Sequence, residues 1–242
     1  MWIKICGNTN LEDARLAAEL GADAVGFIFA ASKRQVTAAQ VAAIAGKLPE
    51  NVERVGVFDS QDAEAIAWIA REASLHAVQL HGGYDEEVLR QLGVLFASSG
   101  IRIIQTLHWT VGEKYASAHN LIAAVVDHRL LQRKLTRIYE FGVTDRVLID
   151  SKIGSSPSGG TGMTFDWDAA RNLFASAPAS LRLIVAGGLR PENVGQAVAE
   201  LAPWGVDVSS GVEASVGRKD PAKLAQFIQN ARSISTPNSG VR

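Results

Sequence analysis

Eight short apolar runs recur along the chain, each followed by a longer amphipathic segment. They are WIKIC (2–6), AVGFIF (24–29), VERVGVF (52–58), HAVQL (76–80), IRIIQTL (101–107), RVLID (146–150), LRLIVA (181–186) and GVDVS (205–209). They are β-branched and largely continuous rather than alternating, the pattern of strands buried on both faces of a parallel sheet. The segments between them carry helix signals. Thr9-Asn10-Leu11-Glu12 fits a capping box opening at Thr9, and Gly21 fits a helix stop. Pro191 and Asp220-Pro221 mark two later helix starts.

Eight strands alternating with helices predict an α/β fold, a single (β/α)₈ TIM barrel over residues 1–232. A doubly wound open sheet is the alternative. It usually carries a glycine-rich dinucleotide loop after an early strand, and no G-x-G-x-x-G occurs there. The polar stretch 233–242, with Pro237 and Gly240, is expected to be a frayed tail. One spacing is irregular: residues 108–145 separate the fifth and sixth runs, a far longer gap than 59–75 between the third and fourth. This enlarged β5–β6 connection reads as a long helix or a helix pair, serving as a peripheral elaboration or a partner surface.

Composition narrows the functional classes. The chain has 242 residues, 47% of them hydrophobic and 20% charged, an ordinary globular balance. A net charge of −1 argues against a dedicated nucleic-acid or membrane surface. There is no run of 18 consecutive apolar residues and no signal-peptide pattern at the N-terminus. The single cysteine, Cys6, allows no internal disulfide, so a reducing cytoplasm is the expected compartment.

In such a barrel the active site forms at the C-terminal strand ends. Those ends place Cys6, residues 29–34, Phe58-Asp59, residues 79–81, residues 105–109, Asp150, Gly187-Gly188 and residues 209–211 around one mouth. Asp207 lies within the eighth run, and with Gln79 it is a candidate substrate contact. Gly187-Gly188 and Ser210-Gly211 follow the seventh and eighth strands, where phosphates often sit in this fold. Glycines let backbone N–H groups approach an anion closely, and a short helix near Gly211 would add a positive dipole end. Tight turns are the other reading of those glycines. The stretch SSPSGGTGMTFDW (155–167) suits a lid over the pocket or a surface loop.

Cys6 and Asp150 fall on opposite sides of the mouth, where one group can take a proton and the other give one. A lone cysteine in an apolar run is also a small buried hydrophobe, and an aspartate also caps loops. Arg34 is either a bidentate carboxylate grip or part of a solvated basic loop. His81 is either a ligand contact or a loop hydrogen-bonding residue. No His/Asp/Glu cluster has metal-ligand spacing, and no P-loop or G-x-S-x-G motif appears. No metal and no cofactor are expected.

The order and identity of KICGNTNLEDARLAAELGADAVGFIF, SKRQV, RVGVF, AVQLHGG, VLIDSK, GGTGMTFDW, AGGLRPENV and VDVSSGVEASVGRKD resemble the phosphoribosylanthranilate isomerases of tryptophan biosynthesis. KICG, QLHG and VDVSSGVE in one chain are the specific combination. The resemblance implies a cofactor-free Amadori rearrangement of N-(5-phosphoribosyl)anthranilate to 1-(2-carboxyphenylamino)-1-deoxyribulose 5-phosphate. It implies Cys6 as general base, Asp150 as general acid and Arg34 as the anthranilate-carboxylate contact. Gly187, Gly188, Ser210 and Gly211 would hold the phosphate. A thiolate is a plausible base if its pKa is lowered, and a carboxylic acid a plausible donor if its pKa is raised. The partner implied is a small sugar phosphate, with the chain acting as a monomer or homodimer. The chain departs from the family pattern in the AASKRQV loop, at the strand-five end QTLHW, and in the insertion before strand six. Two other classes compete: a barrel acting on another sugar phosphate, for which Lys152 is the obvious candidate, and a non-catalytic phosphate binder.

Overall fold

Each of the eight apolar runs forms a strand in the computed structural model, which describes residues 1–111, 118–153 and 167–235. The strands are β1 (Trp2–Ile5), β2 (Ala24–Ile28), β3 (Glu53–Phe58), β4 (Ala77–Leu80), β5 (Arg102–Val111), β6 (Arg146–Ile153), β7 (Arg182–Ala186) and β8 (Gly205–Val208). They pair in parallel in chain order, and β1 pairs with β8 to close the barrel. The outer layer is α1 (Leu11–Glu19), α2 (Ala38–Ala45), α3 (Ala63–Glu72), α4 (Glu86–Phe96), α5 (Ala118–Phe141), α6 (Trp167–Ser176), α7 (Pro191–Leu201) and α8 (Pro221–Ser235). A small hairpin, β9 (Glu213–Ser215) and β10 (Arg218–Lys219), precedes α8. The open-sheet alternative is thereby excluded. No described helix is long and apolar enough to cross a membrane.

Two local expectations are corrected. The cap of α1 is Asn10, not Thr9: Asn10 Oδ1 accepts from the Asp13 N–H at 2.9 Å. Thr9 is unavailable because its hydroxyl donates to the Gly217 carbonyl at 2.7 Å. Strands five and six also outrun their apolar runs. They pair with each other from Ile104↔Arg146 through His108↔Asp150 to Val111↔Ile153, so partner hydrogen bonds carry them beyond the last apolar residue. The enlarged connection contains one 24-residue helix, α5, which buries Leu131, Leu135 and Ile138.

Strand parity sorts the side chains. Ile3 and Ile5, Val78 and Leu80, Val147 and Ile149, and Val206 and Val208 face the helices. Residues of the other parity fill the barrel. Its middle is apolar: Ala24, Val55, Ala77, Ile104, Leu148 and Ile184. Its lower end is an aromatic and ionic plug. Trp2 stacks on Trp204 at 5.2 Å, and Arg146, over both rings, donates to both Glu53 oxygens at 2.9 and 2.8 Å. The upper end is polar, and the same parity that buries Ala77 and Leu148 delivers His81 and Asp150 to the mouth.

Candidate active site

A cavity of about 400 Å³ opens at the C-terminal strand ends, within the size range of small-molecule sites. Cys6, Gln79, His81, Asp150, Gly187, Gly188, Asp207, Ser210 and Gly211 all line it. Nine of the ten predicted site residues therefore converge. Arg34 does not line it: its Nε and Nη2 donate to Glu213 Oε1 and Oε2 at 2.7 and 2.6 Å. A more open cavity of about 480 Å³ lies at the opposite end of the barrel, where its charged groups Arg102 and Asp145 pair with Glu53 and Arg182. That end carries stability rather than chemistry in this fold.

Cys6 follows β1 directly and is buried. Gly7 then turns the chain away with φ +74°; a Cβ there would come within 2.7 Å of Ser209 Oγ and 2.8 Å of Arg34 Cδ. Asn8, fully buried, donates to the carbonyls of Ile5 and Gly26 at 2.7 and 3.2 Å and so fixes the turn. Below the thiol lies Lys4, also fully buried, which donates to Gln79 Oε1 and Asp207 Oδ1, each at 2.9 Å. Asp207 and Gln79, predicted as substrate contacts, are thus held by Lys4 at the cavity floor.

The electrostatics of the thiol run against the sequence expectation. Burial pushes the Cys6 pKa up; Lys4 and Lys219 pull it back only in part, and Asp207 opposes them. Burial also disfavours the charge on Lys4, but Asp207 and Cys6 beside it outweigh this and raise its pKa. Lys219 donates to the Cys6 carbonyl at 2.6 Å and the Ser209 carbonyl at 3.1 Å, tying the ends of β1 and β8 together. Burial lowers its pKa despite Glu213 nearby. Lys4, Lys219 and Glu213 are site residues that sequence reasoning left without roles. Lys4 and Glu213 sat inside the quoted KICG and VSSGVE motifs; a buried lysine on an inward-facing strand position was the available signal.

The two phosphate-type loops meet. Gly187 and Gly188 have φ +93° and +62°, and a Cβ on Gly211 would lie only 1.9 Å from the Leu189 carbonyl oxygen. Only glycine lets the loops after β7 and β8 pack this closely. The expected short helix is a single 3₁₀ turn, Ser210–Val212, too short to supply a helix dipole. Ser209 Oγ, buried beside the loops, makes no hydrogen bond among the described residues.

Across the mouth, Asp150 Oδ2 lies 3.5 Å from His108 Nδ1 and 3.9 Å from His81 Nε2. Burial lowers the His81 pKa, His108 lowers it further, and Asp150 opposes both. The strand-end rule placed His81, residues 105–109 and Asp150 at one mouth, and these three side chains meet there. The stretch 155–166 and the side chain of Lys152 fall outside the described residues.

The comparisons agree with this geometry. The profile of the family described as N-(5'phosphoribosyl)anthranilate (PRA) isomerase matches residues 3–230. The chain is 40% identical over 230 residues to an N-(5'-phosphoribosyl)anthranilate isomerase of Desulforudis audaxviator, covering 95% of this chain and 97% of that one. It is 39% identical over 237 residues to its Bacillus cereus counterpart, covering 97% and 100%. The crystal structure of phosphoribosyl anthranilate isomerase from Thermotoga maritima superposes with a TM-score of 0.74 at 36% identity, covering 96% and 99%. A phosphoribosyl anthranilate isomerase in complex with reduced 1-(o-carboxyphenylamino)-1-deoxyribulose 5-phosphate gives 0.72 at 33% identity, covering 96% and 99%. A family model matched over residues 3–230 and relatives matched over nearly their whole length settle the lineage: this chain belongs to the N-(5'-phosphoribosyl)anthranilate isomerase family.

Proposed function

We propose that this chain converts N-(5'-phosphoribosyl)anthranilate to 1-(o-carboxyphenylamino)-1-deoxyribulose 5-phosphate, with Cys6 as general base and Asp150 as general acid. The observation that carries the assignment is that Cys6, Asp150 and both glycine loops line one cavity. The backbone around Gly187, Gly188, Ser210 and Gly211 holds the phosphate and thereby fixes the sugar between thiol and carboxyl. Asp150 gives its proton to the furanose oxygen as the C1–O bond breaks, leaving an iminium between C1 and the anilino nitrogen. That cation acidifies the C2 proton, and the Cys6 thiolate removes it. The resulting enolamine moves its hydroxyl proton to C1 and becomes the ketone. One proton is given and one is taken, so returning the proton from Cys6 to Asp150 resets the site.

Lys4 acts here as a positioning residue: its buried charge favours the thiolate directly above it. Arg34 grips the anthranilate carboxylate by exchanging Glu213 for it, since the two donors Nε and Nη2 are engaged by Glu213. His81 frames the sugar from the wall, and Asp207 with Gln79 from the floor. The test is to generate phosphoribosylanthranilate in situ and follow its fluorescence. Accelerated loss of fluorescence supports the reading, and a rate equal to the protein-free control overturns it.

A further inference from the structure

The rim above Asp150 has a donor arrangement that the proton chemistry does not require. The ligand-type atoms of His81, His108 and Asp150 all lie within 4.8 Å of one another. His108 Nε2 is 2.7 Å from the His81 carbonyl oxygen. A carbonyl only accepts, so Nε2 carries the hydrogen. In the neutral ring Nδ1 is therefore the basic nitrogen, and it lies 3.5 Å from Asp150 Oδ2. The other ring, His81, brings Nε2 to 3.9 Å from that oxygen and stands perpendicular to His108, with ring centroids 4.6 Å apart.

We propose that His81, His108 and Asp150 form a binding site for a divalent transition-metal ion of the zinc class. Three features support it. Bonds of about 2.0–2.1 Å in a tetrahedron put donors about 3.4 Å apart; the two imidazoles lie 3.5 and 3.9 Å from the carboxylate oxygen and within 4.8 Å of each other, so a small inward turn of the rings completes the set. A backbone carbonyl accepting the second ring N–H is the usual device that orients a ligating imidazole. Two imidazoles and one carboxylate suit Zn²⁺, Co²⁺ or Ni²⁺ rather than Mg²⁺ or Ca²⁺. The ion uses the carboxylate assigned above as general acid, so the metal-loaded protein is inhibited and a chelator restores it. That consequence rests on the proposed function; binding itself does not.

The purified chain is titrated with Co²⁺ and read by visible absorption, with Zn²⁺ competition measured by calorimetry. The expected result is one ion per chain with the intense spectrum of tetrahedral Co²⁺, displaced by Zn²⁺ and retained in Cys6→Ser. His108→Ala, at a side chain about one-third exposed, is expected to keep the wild-type circular dichroism. It should weaken binding at least about 100-fold, the upper end of what losing even a supporting partner of a metal ligand costs. Absence of the tetrahedral spectrum, its loss in Cys6→Ser, or unchanged affinity in His108→Ala overturns the site. Tight binding without inhibition of turnover leaves the metal site standing and refutes Asp150 as the acid.

Discussion

Replacing Lys4 by methionine removes the cation at the base of the site while keeping the side chain's length and apolar stem. Two bonds are lost, to Gln79 Oε1 and Asp207 Oδ1. Removing one member of a buried ion pair costs about 3–5 kcal/mol, because the other charge is left without compensation. The Asp207 side chain keeps 10% exposure at the cavity wall, so water softens its isolation and the lower end applies. A loss of about 3 kcal/mol corresponds to a fall of about 6–12 °C in Tm for a chain of this size. The same change takes away the principal charge opposing burial of the thiol, so the Cys6 pKa moves further up. Urea unfolding reads the first effect, and the pH dependence of Cys6 alkylation by iodoacetamide reads the second. Lys4→Met/Asp207→Leu should be more stable than Lys4→Met alone, because it removes both charges. If Lys4→Met unfolds within about 1 kcal/mol of wild type and its thiol titrates as before, the buried-pair argument fails. If the double variant is no more stable than the single one, the pairing with Asp207 is not what holds the lysine.

Three further outcomes follow from the same structure. A general base works only when deprotonated, and burial holds the Cys6 pKa above its ordinary value. So the rate of Cys6 alkylation by iodoacetamide, which follows the thiolate fraction, should climb about tenfold per pH unit across neutrality and level off only above the usual thiol range; a plateau already reached at neutral pH would contradict this. Gly211→Ala puts a Cβ 1.9 Å from the Leu189 oxygen and must part the two glycine loops; KM should rise about tenfold or more, about 1.4 kcal/mol of lost phosphate contact, and an unchanged KM would show that the loops do not act together. Arg146→Met leaves Glu53 without its buried partner and should cost about 3–5 kcal/mol in urea unfolding, while kcat/KM of the folded protein stays at the wild-type value; a matching loss of kcat/KM would place the lower plug in the catalytic machinery.

What the sequence discloses here is periodic, and what it hides is long-range. The strands were legible because a parallel barrel buries both strand faces, so each strand is written as an unbroken apolar run. The mouth was legible for the same reason: the residue closing each run sits at the C-terminal end. Thr9 misled because a capping sequence cannot show that its hydroxyl is claimed by Gly217, far along the chain. Arg34 looked like a free grip because Glu213, its bidentate partner, lies 179 residues away. Lys4 had no assigned role until barrel closure brought Asp207, 203 residues on, to its ammonium beneath the thiol. His108 stood among the strand-end residues 105–109 without a role of its own, because its place beside Asp150 depends on both strands outrunning their apolar runs. The thiol's burial was one of the two readings of a lone cysteine in an apolar run; the lysines that oppose its effect on the pKa were not foreseen, because they reach the thiol only through barrel closure.

The claim on which the account depends is that Cys6 and Asp150 divide the proton transfers between them. Its most direct test is single-turnover loss of phosphoribosylanthranilate fluorescence by Cys6→Ser and Asp150→Asn, with circular dichroism confirming that both fold. Each should be slowed by about 10²-fold or more, the scale of a lost general acid or base, while still binding the substrate phosphate. A folded variant of either kind that turns over at close to the wild-type rate would contradict the account.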